Sequence, residues 1–365
     1  MNSPTPEPAI PASAAPTHAG MSMRTVKLVG PRTMRAFRGP VPRAGAGEVV
    51  VRIRAVGICG SDQHYFLDGQ IGGIVAIEPL VLGHEFAGEI SEVGSGVAGL
   101  TVGLRVAVDP AIPCGVCEFC LEGNQNCCPS VRFCGTPPTD GALQEYIAWP
   151  ANLVHPLPDS VSDEAGALLE PLGVAIQAVD LGRIRLADRV AVLGAGPIGL
   201  LIARLARASG AVDVIVSEPN QVRRLAAASF AATATIDPGA EDPVAAIKRL
   251  TGGRGVDVAF EAAGVLETPQ QAVDALKPAG TVVVVGICPD DQIPIKSTAA
   301  RRKGVTIKLC RRMKHVYPRA IRLVERGVID FQPLVTHRFG LDETAAAFTA
   351  ICAVETSVIK AIVRV

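Results

Sequence analysis

Aromatic side chains are scarce in this chain. One Trp and three Tyr among 365 residues are too few for the stacking platform that single-stranded nucleic acid needs. Net charge is absent too. Lys plus Arg number 35 and Asp plus Glu 35, so no basic surplus favours a phosphate backbone or an anionic membrane surface. No run of about 18 apolar residues is present to cross a bilayer. The opening segment, MNSPTPEPAIPASAAPTHAG, is rich in Pro and Ala and lacks the apolar stretch of a secretory signal. These absences argue against nucleic-acid and membrane partners and place the chain in the cytoplasm. Residues 1–22 read either as a disordered tail or as an over-long start with initiation at Met21 or Met23.

Apolar residues and cysteine are plentiful. The chain is 48% hydrophobic and 19% charged, enough to bury the cores of about two domains. Ten cysteines would suit a disulfide framework in a small secreted domain. In a long chain without a signal they read as reduced thiols, with the clustered ones binding metal. Cys114, Cys117, Cys120 and Cys128 form a C-x2-C-x2-C-x7-C run in a loop rich in Gly, Asn and Pro. Four thiolates so close together suit a closed tetrahedral zinc, which holds structure and does no chemistry.

The residues before and after Glu170-Pro171 differ in rhythm. From Arg24 to Val154, short apolar stretches such as Glu48–Ile53 and Arg105–Val108 are broken by Gly and Pro, as in a small barrel-like β domain. From Arg189 on, the apolar stretches Val190–Leu193, Val212–Ser217, Val256–Phe260 and Thr281–Val285 alternate with helical segments such as Ile198–Ser209 and Gln221–Ser229. That alternation predicts α/β architecture with a doubly wound parallel sheet. Thr281–Val285 reads as an uncovered apolar edge that pairs with a second copy. Val305–Leu309 belongs to the edge of the sheet or the exit from it. The remaining residues lose the rhythm and are expected to return to the first domain.

Val190–Leu193 runs into Gly194-Ala-Gly196-Pro197-Ile198-Gly199, a G-x-G-x-x-G between strand and helix. Gly194 permits the tight turn, Gly196 the approach of a pyrophosphate, and Gly199 close helix packing. Glu218 ends the next strand, where a carboxylate accepts bonds from ribose hydroxyls and repels a 2′-phosphate. This favours NAD over NADP. Arg223 either softens that preference or is a solvated helix arginine.

A second, open metal site is assembled from Gly57-Ile-Cys59-Gly-Ser61-Asp62, from Gly83-His84-Glu85-x2-Gly88-x5-Gly94-x2-Val97, and from Glu170. One thiolate, one imidazole and one or two carboxylates leave room for an alcohol oxygen on zinc. Singly, each of these residues is more often a core or capping group. Together with a dinucleotide site they point to catalysis.

From about Met23 to Val365 the chain resembles the zinc-dependent medium-chain dehydrogenases, whose zinc signature the His84 segment matches without departure. Within them it is most similar to the sorbitol (polyol) branch. That likeness rests on the stretches Gly57–Tyr65, Phe133–Gly141 and Pro333–Phe339, and on Leu-Glu170-Pro-Leu. The resemblance implies a β-rich GroES-like catalytic domain over residues 23–171 and 309–365, and a Rossmann NAD-binding domain over 172–308. It implies that Cys59, His84 and Glu85 hold catalytic zinc, with Glu170 direct or water-bridged, and that Asp62 orients His84. Ser61 would take the substrate proton and pass it through the cofactor ribose towards His64. Tyr65, Phe133 and Arg312 would line the polyol site, and the assembly would be a homotetramer.

The implied reaction is oxidation of a secondary alcohol of a sugar alcohol to a ketose with NAD. Threonine or a 2,3-butanediol-type alcohol is the alternative substrate. A non-enzymatic module of the same fold fits a complete ligand set poorly. Two departures from the animal sorbitol enzymes, Met313 for Tyr and Phe66 for Trp, leave the sugar alcohol open. The full set of four cysteines, which those enzymes have largely lost, is a third. The other cysteines, Cys127, Cys134, Cys288, Cys310 and Cys352, read as small, mostly buried residues.

Overall fold

The computed structural model describes residues 20–76, 79–288, 292–353 and 357–365. Most of the expected tail lies outside these residues. Its last residue does not: Ser22 opens the first strand, Ser22–Gly30, and pairs with Pro40.

One body is built on a mostly antiparallel seven-stranded sheet. Its central strand, Glu48–Gly57, is buried along most of its length, with Arg52 exposed, and it has partners on each side. Those partners are Glu85–Val93, Tyr146–Pro150 and Lys360–Arg364. Val51, Ile53, Phe86, Ile90 and Trp149 fill its core. The C-terminal segment returns here: Val335–Gly340 pairs with Lys360–Arg364, which in turn pairs with the central strand.

The second body is a six-stranded sheet, parallel throughout. Its order is Ala234–Ile236, Asp213–Ser217, Arg189–Leu193, Val256–Glu261, Leu276–Val284, Thr306–Leu309. The order reverses beside Arg189–Leu193, which places the glycine-rich turn at the crevice where such sheets bind ligands.

One expectation needs correction, and one strand was not expected. Thr281–Val285 is not an edge: the strand runs Leu276–Val284 and lies between two neighbours. The edge is Thr306–Leu309, with Ile307 and Leu309 exposed. Ala234–Ile236 has no counterpart in the sequence reading, because three residues bounded by Thr233 and Asp237 carry too little apolar pattern.

The helix Leu169–Gly182 joins the two bodies. It shares one hydrophobic core with Ala55, Ala87 and Ala107 of the first sheet, Val190, Val192 and Val283 of the second, and Tyr317 and Ala320 of the helix Tyr317–Glu325. Met313 and Phe66 both face core. Met313 packs on Gly173 of the joining helix, and Phe66 lies 5.1 Å from the ring of Phe348. Neither departure changes a group that points into open space.

Candidate metal centres and cofactor site

The ligand atoms of Cys114, Cys117, Cys120 and Cys128 all lie within 4.8 Å of one another. The sulfur separations are 3.5 Å for Cys117–Cys120, 3.9 Å for Cys117–Cys128 and 4.0 Å for Cys114–Cys120. A tetrahedron with zinc–sulfur bonds near 2.3 Å has edges of about 3.8 Å, so the residues fit zinc. All ten cysteines are free thiols. Cys127 is exposed, contrary to the buried reading, because its neighbour Cys128 turns inward to the cluster.

The second group, Cys59, His84 and Glu85, also has its ligand atoms within 4.8 Å of one another. Cys59 caps the helix Gly60–Asp68, where the positive end of the helix dipole favours negative charge. Asp62, in the first turn, reaches back to accept the Cys59 N–H at 2.9 Å, and its other oxygen accepts the Gly83 N–H at 3.2 Å. His84 Nδ1 lies 3.4 Å from that same oxygen, which leaves Nε2 for a metal. Burial opposes a charge on His84, but Asp62 and Cys59 push its pKa well above the ordinary imidazole range. The negative charge that Asp62 and Cys59 gather around this ring suits a cation.

Glu85 faces Lys360, whose ammonium donates to both carboxylate oxygens at 2.7 and 2.8 Å and to the Ile58 carbonyl at 2.9 Å. Both residues are essentially inaccessible. Gly57 makes room for this pair, since a Cβ there would collide with the Glu85 carboxylate. Burial works against the Lys360 charge, but Glu85, Cys59 and Glu170 outweigh it and raise its pKa. Sequence reading missed Lys360, which has the look of an ordinary strand lysine.

Glu170 stands in the first turn of the joining helix, buried. It falls outside the three-residue ligand group, yet it senses the charges of His84, Glu85, Lys360 and Asp109. Burial, with Glu85 and Asp109 adding to it, pushes its pKa up to about 7. Asp109 was also missed; burial lifts it to about 6.

Arg312 has its guanidinium 4.0 Å over the Phe133 ring, and that ring lies 5.0 Å from His84. Arg312 Nη1 and Tyr65 Oη are buried without a hydrogen-bond partner among the described residues. Burial lowers the Arg312 pKa to about 10. His64 is half-exposed, with Nδ1 3.9 Å from Asp68, and lies one helical turn beyond Ser61.

At the glycine turn, Gly194 has φ of 100° and no space for a side chain, with Ala263 N 2.7 Å from a hypothetical Cβ. Gly199 is pressed against the Gly194 carbonyl. A side chain at Gly196 would meet nothing within 4 Å, so what keeps it open is space in front of the helix Pro197–Ala208 and its free N–H groups. Pro197 and Ile198, half-buried, form the first turn. Glu218 accepts the Ala195 N–H at 2.7 Å and the Asn220 N–H at 2.9 Å, which ties it to the turn. Arg223 Nε is buried without a partner, at odds with a solvated arginine.

Residues 45–159 match the alcohol dehydrogenase GroES-like domain and residues 197–326 the zinc-binding dehydrogenase domain. The chain is 38% identical to a sorbitol dehydrogenase of Bacillus subtilis (strain 168) over 326 residues, 89% of this chain and 92% of that one. Among solved structures, 2R,3R-butanediol dehydrogenase from Bacillus subtilis superposes with a TM-score of 0.85 at 33% identity, covering 94% and 99% of the two chains. A zinc-binding dehydrogenase from Sinorhizobium meliloti 1021, bound to NADP, gives 0.87 at 32% identity, also covering 94% and 99%.

Two outcomes follow from this geometry. Chelation should empty the carboxylate-containing site before the closed four-sulfur site, abolishing turnover while circular dichroism stays native. One zinc or none in carefully purified protein would refute two sites. Lys360→Met should destabilise metal-stripped protein by about 3–5 kcal/mol, because it leaves Glu85 buried and unpaired, and zinc should restore part of the loss. An equal fall in melting temperature with and without zinc would show that the ion pair is not coupled to the metal position.

Proposed function

The chain belongs to the zinc-dependent medium-chain dehydrogenases, and from that premise we propose that it oxidises a secondary alcohol of a sugar alcohol to a ketose, with NAD as hydride acceptor. One observation carries this reading: the unpartnered Arg312 Nη1 and Tyr65 Oη in the surroundings of the Cys59, His84 and Glu85 group. Buried polar groups without protein partners are costly, and a substrate with several hydroxyls satisfies them.

Cys59, His84 and Glu85 would hold the catalytic zinc, with Glu170 as a direct or water-bridged fourth group. Zinc there supplies a Lewis acid that lowers the pKa of an alcohol hydroxyl. Asp62 holds His84 in the tautomer that presents Nε2. Lys360 offsets the negative charge of Glu85, so a metal held there would be neutralised less by its own ligands. Ser61 takes the alcohol proton, and His64, one turn along and partly open to solvent, receives it. Arg312 and Tyr65 bind further hydroxyls, and Phe133 supplies an apolar wall. Gly194, Gly196, Pro197, Ile198 and Gly199 would cradle the NAD pyrophosphate, and Glu218 and Arg223 would meet the ribose.

A vicinal diol is the second reading, favoured by the likeness to butanediol dehydrogenase. Steady-state rates on sorbitol, xylitol, threonine and 2,3-butanediol, each with NAD and NADP, separate the two.

We assign residues 22–171 and 310–365 to the zinc-holding domain and 172–309 to the cofactor domain, because Ser22 pairs in the first strand and Leu309 pairs in the cofactor sheet. The proposed assembly is a homotetramer in which the edge Thr306–Leu309 pairs with a second copy, a matter for light scattering. The proposed location is the cytoplasm. All ten cysteines are free, and no described helix is long and apolar enough to cross a membrane.

NAD should be preferred to NADP, and Glu218→Ala should narrow the ratio of kcat/KM values on the order of tenfold. A wild type equally efficient with both would show that Glu218 does not meet the ribose. Glu170→Ala should lower polyol kcat on the order of 10–100-fold, with NAD affinity by fluorescence titration unchanged. Full polyol turnover would make Glu170 structural and leave the site to Cys59, His84 and Glu85.

A further inference from the structure

The four-cysteine lobe touches the rest of the molecule at a specific place. Three consecutive residues just before Cys128 grip the segment around Arg312. Asn124 Oδ1 accepts from Lys314 Nζ at 2.6 Å. Gln125 lies against His315, and turning its amide so that oxygen and nitrogen exchange places lets the oxygen accept from the His315 N–H and Nε2, each at 3.1 Å. Asn126 donates its Nδ2 to the Arg311 carbonyl at 2.9 Å, and Arg311 Nε returns a bond to the Asn126 carbonyl at 3.0 Å. Asn126 is buried, although Cys127 beside it is exposed.

Between the gripped residues stands Arg312 with φ of 50°. A left-handed conformation disfavours any residue with a Cβ, so the flanking bonds must hold it. That conformation carries the guanidinium over Phe133, with a buried Nη1 lacking a partner. Arg311 on one side and Lys314 and His315 on the other are fixed by the lobe, and the arginine between them is free of it.

We propose that the cysteine lobe is the jig that sets Arg312 for substrate, with Asn126 as its positioning residue. This rests on the reading of Arg312 as a group that binds a hydroxyl. The lobe thereby acts on specificity for substrates with a second hydroxyl, while its zinc takes no part in chemistry.

The test compares Asn126→Ala, Arg312→Ala and the double variant with wild type, all zinc-loaded. Wild type is assayed first on sorbitol and 2,3-butanediol, and whichever it turns over is the working substrate. 2-Butanol serves as the one-hydroxyl control. Asn126→Ala is expected to raise KM for the working substrate on the order of tenfold, the worth of one well-placed hydrogen bond. Its kcat, KM for 2-butanol, NAD affinity and zinc content should stay near wild type. Amide exchange of residues 311–315 should quicken, and the double variant should be no worse than Arg312→Ala alone.

Unchanged KM in Asn126→Ala, with Arg312→Ala impaired, overturns the positioning role. So does an equal loss on diol and 2-butanol. An Arg312→Ala that keeps wild-type KM refutes the hydroxyl-binding reading of Arg312, and the proposal with it. Turnover of butanediol but not sorbitol corrects the substrate alone. Should Asn126→Ala not fold, Lys314→Ala, on the outer side of the same grip, must show the smaller KM rise in the same direction, or the proposal fails.

Discussion

Asp62 is buried to 1% exposure, where an isolated carboxylate would be strongly disfavoured. Its two oxygens collect the N–H groups of Cys59 and Gly83 and the ring of His84. Burial alone would raise its pKa, but His84 and the two backbone donors hold it below the usual carboxylate range. It therefore stays ionised and keeps three segments in register: the loop leaving the central strand, the first helix, and the turn that carries His84 and Glu85. Parting them leaves a buried charge short of a partner, which costs about 1–3 kcal/mol for each bond lost, and more for an ionised group. The positions of the three groups that could hold a metal are thus fixed by contacts within the protein.

The same logic explains why the chain crosses to a second fold and comes back. Glu85 needs a cation, and Lys360, 275 residues away in sequence, supplies it from the final strand. That strand pairs beside Gly57, the one position where the absence of a side chain admits the carboxylate. The joining helix carries Glu170, which senses the charges of His84, Glu85 and Lys360, inside a core continuous with both sheets. Metal site, C-terminus and cofactor sheet are therefore parts of one packing problem.

What could be read from the residues alone was whatever is local. The cysteine run, the glycine turn and the Cys59-to-Asp62 segment each place their groups within a few residues, so spacing translates directly into geometry. The alternation of strands and helices after Arg189 is equally local. What escaped depends on contacts between distant segments. Lys360 sits in Val-Ile-Lys-Ala-Ile with nothing to mark it. Asp109 precedes a proline and looks like a turn residue. Asn126 hides among the cysteines, where the eye goes to sulfur. The order of strands misled in one place: Thr281–Val285 is apolar because it is covered on both sides, and an uncovered edge and an inner strand of a parallel sheet share that composition.

The sulfur separations in the lobe carry one more implication. Thiols 3.5 to 4.0 Å apart lie only a small displacement from bonding to one another. Stripped of metal in air, the same proximity that makes the loop a good ligand set makes it a good substrate for oxidation. Pairs of these sulfurs would close into disulfides that can no longer accept zinc. Loss of the ion would then be irreversible without a reductant, and the lobe would keep a chemical memory of every oxidising episode the protein had met.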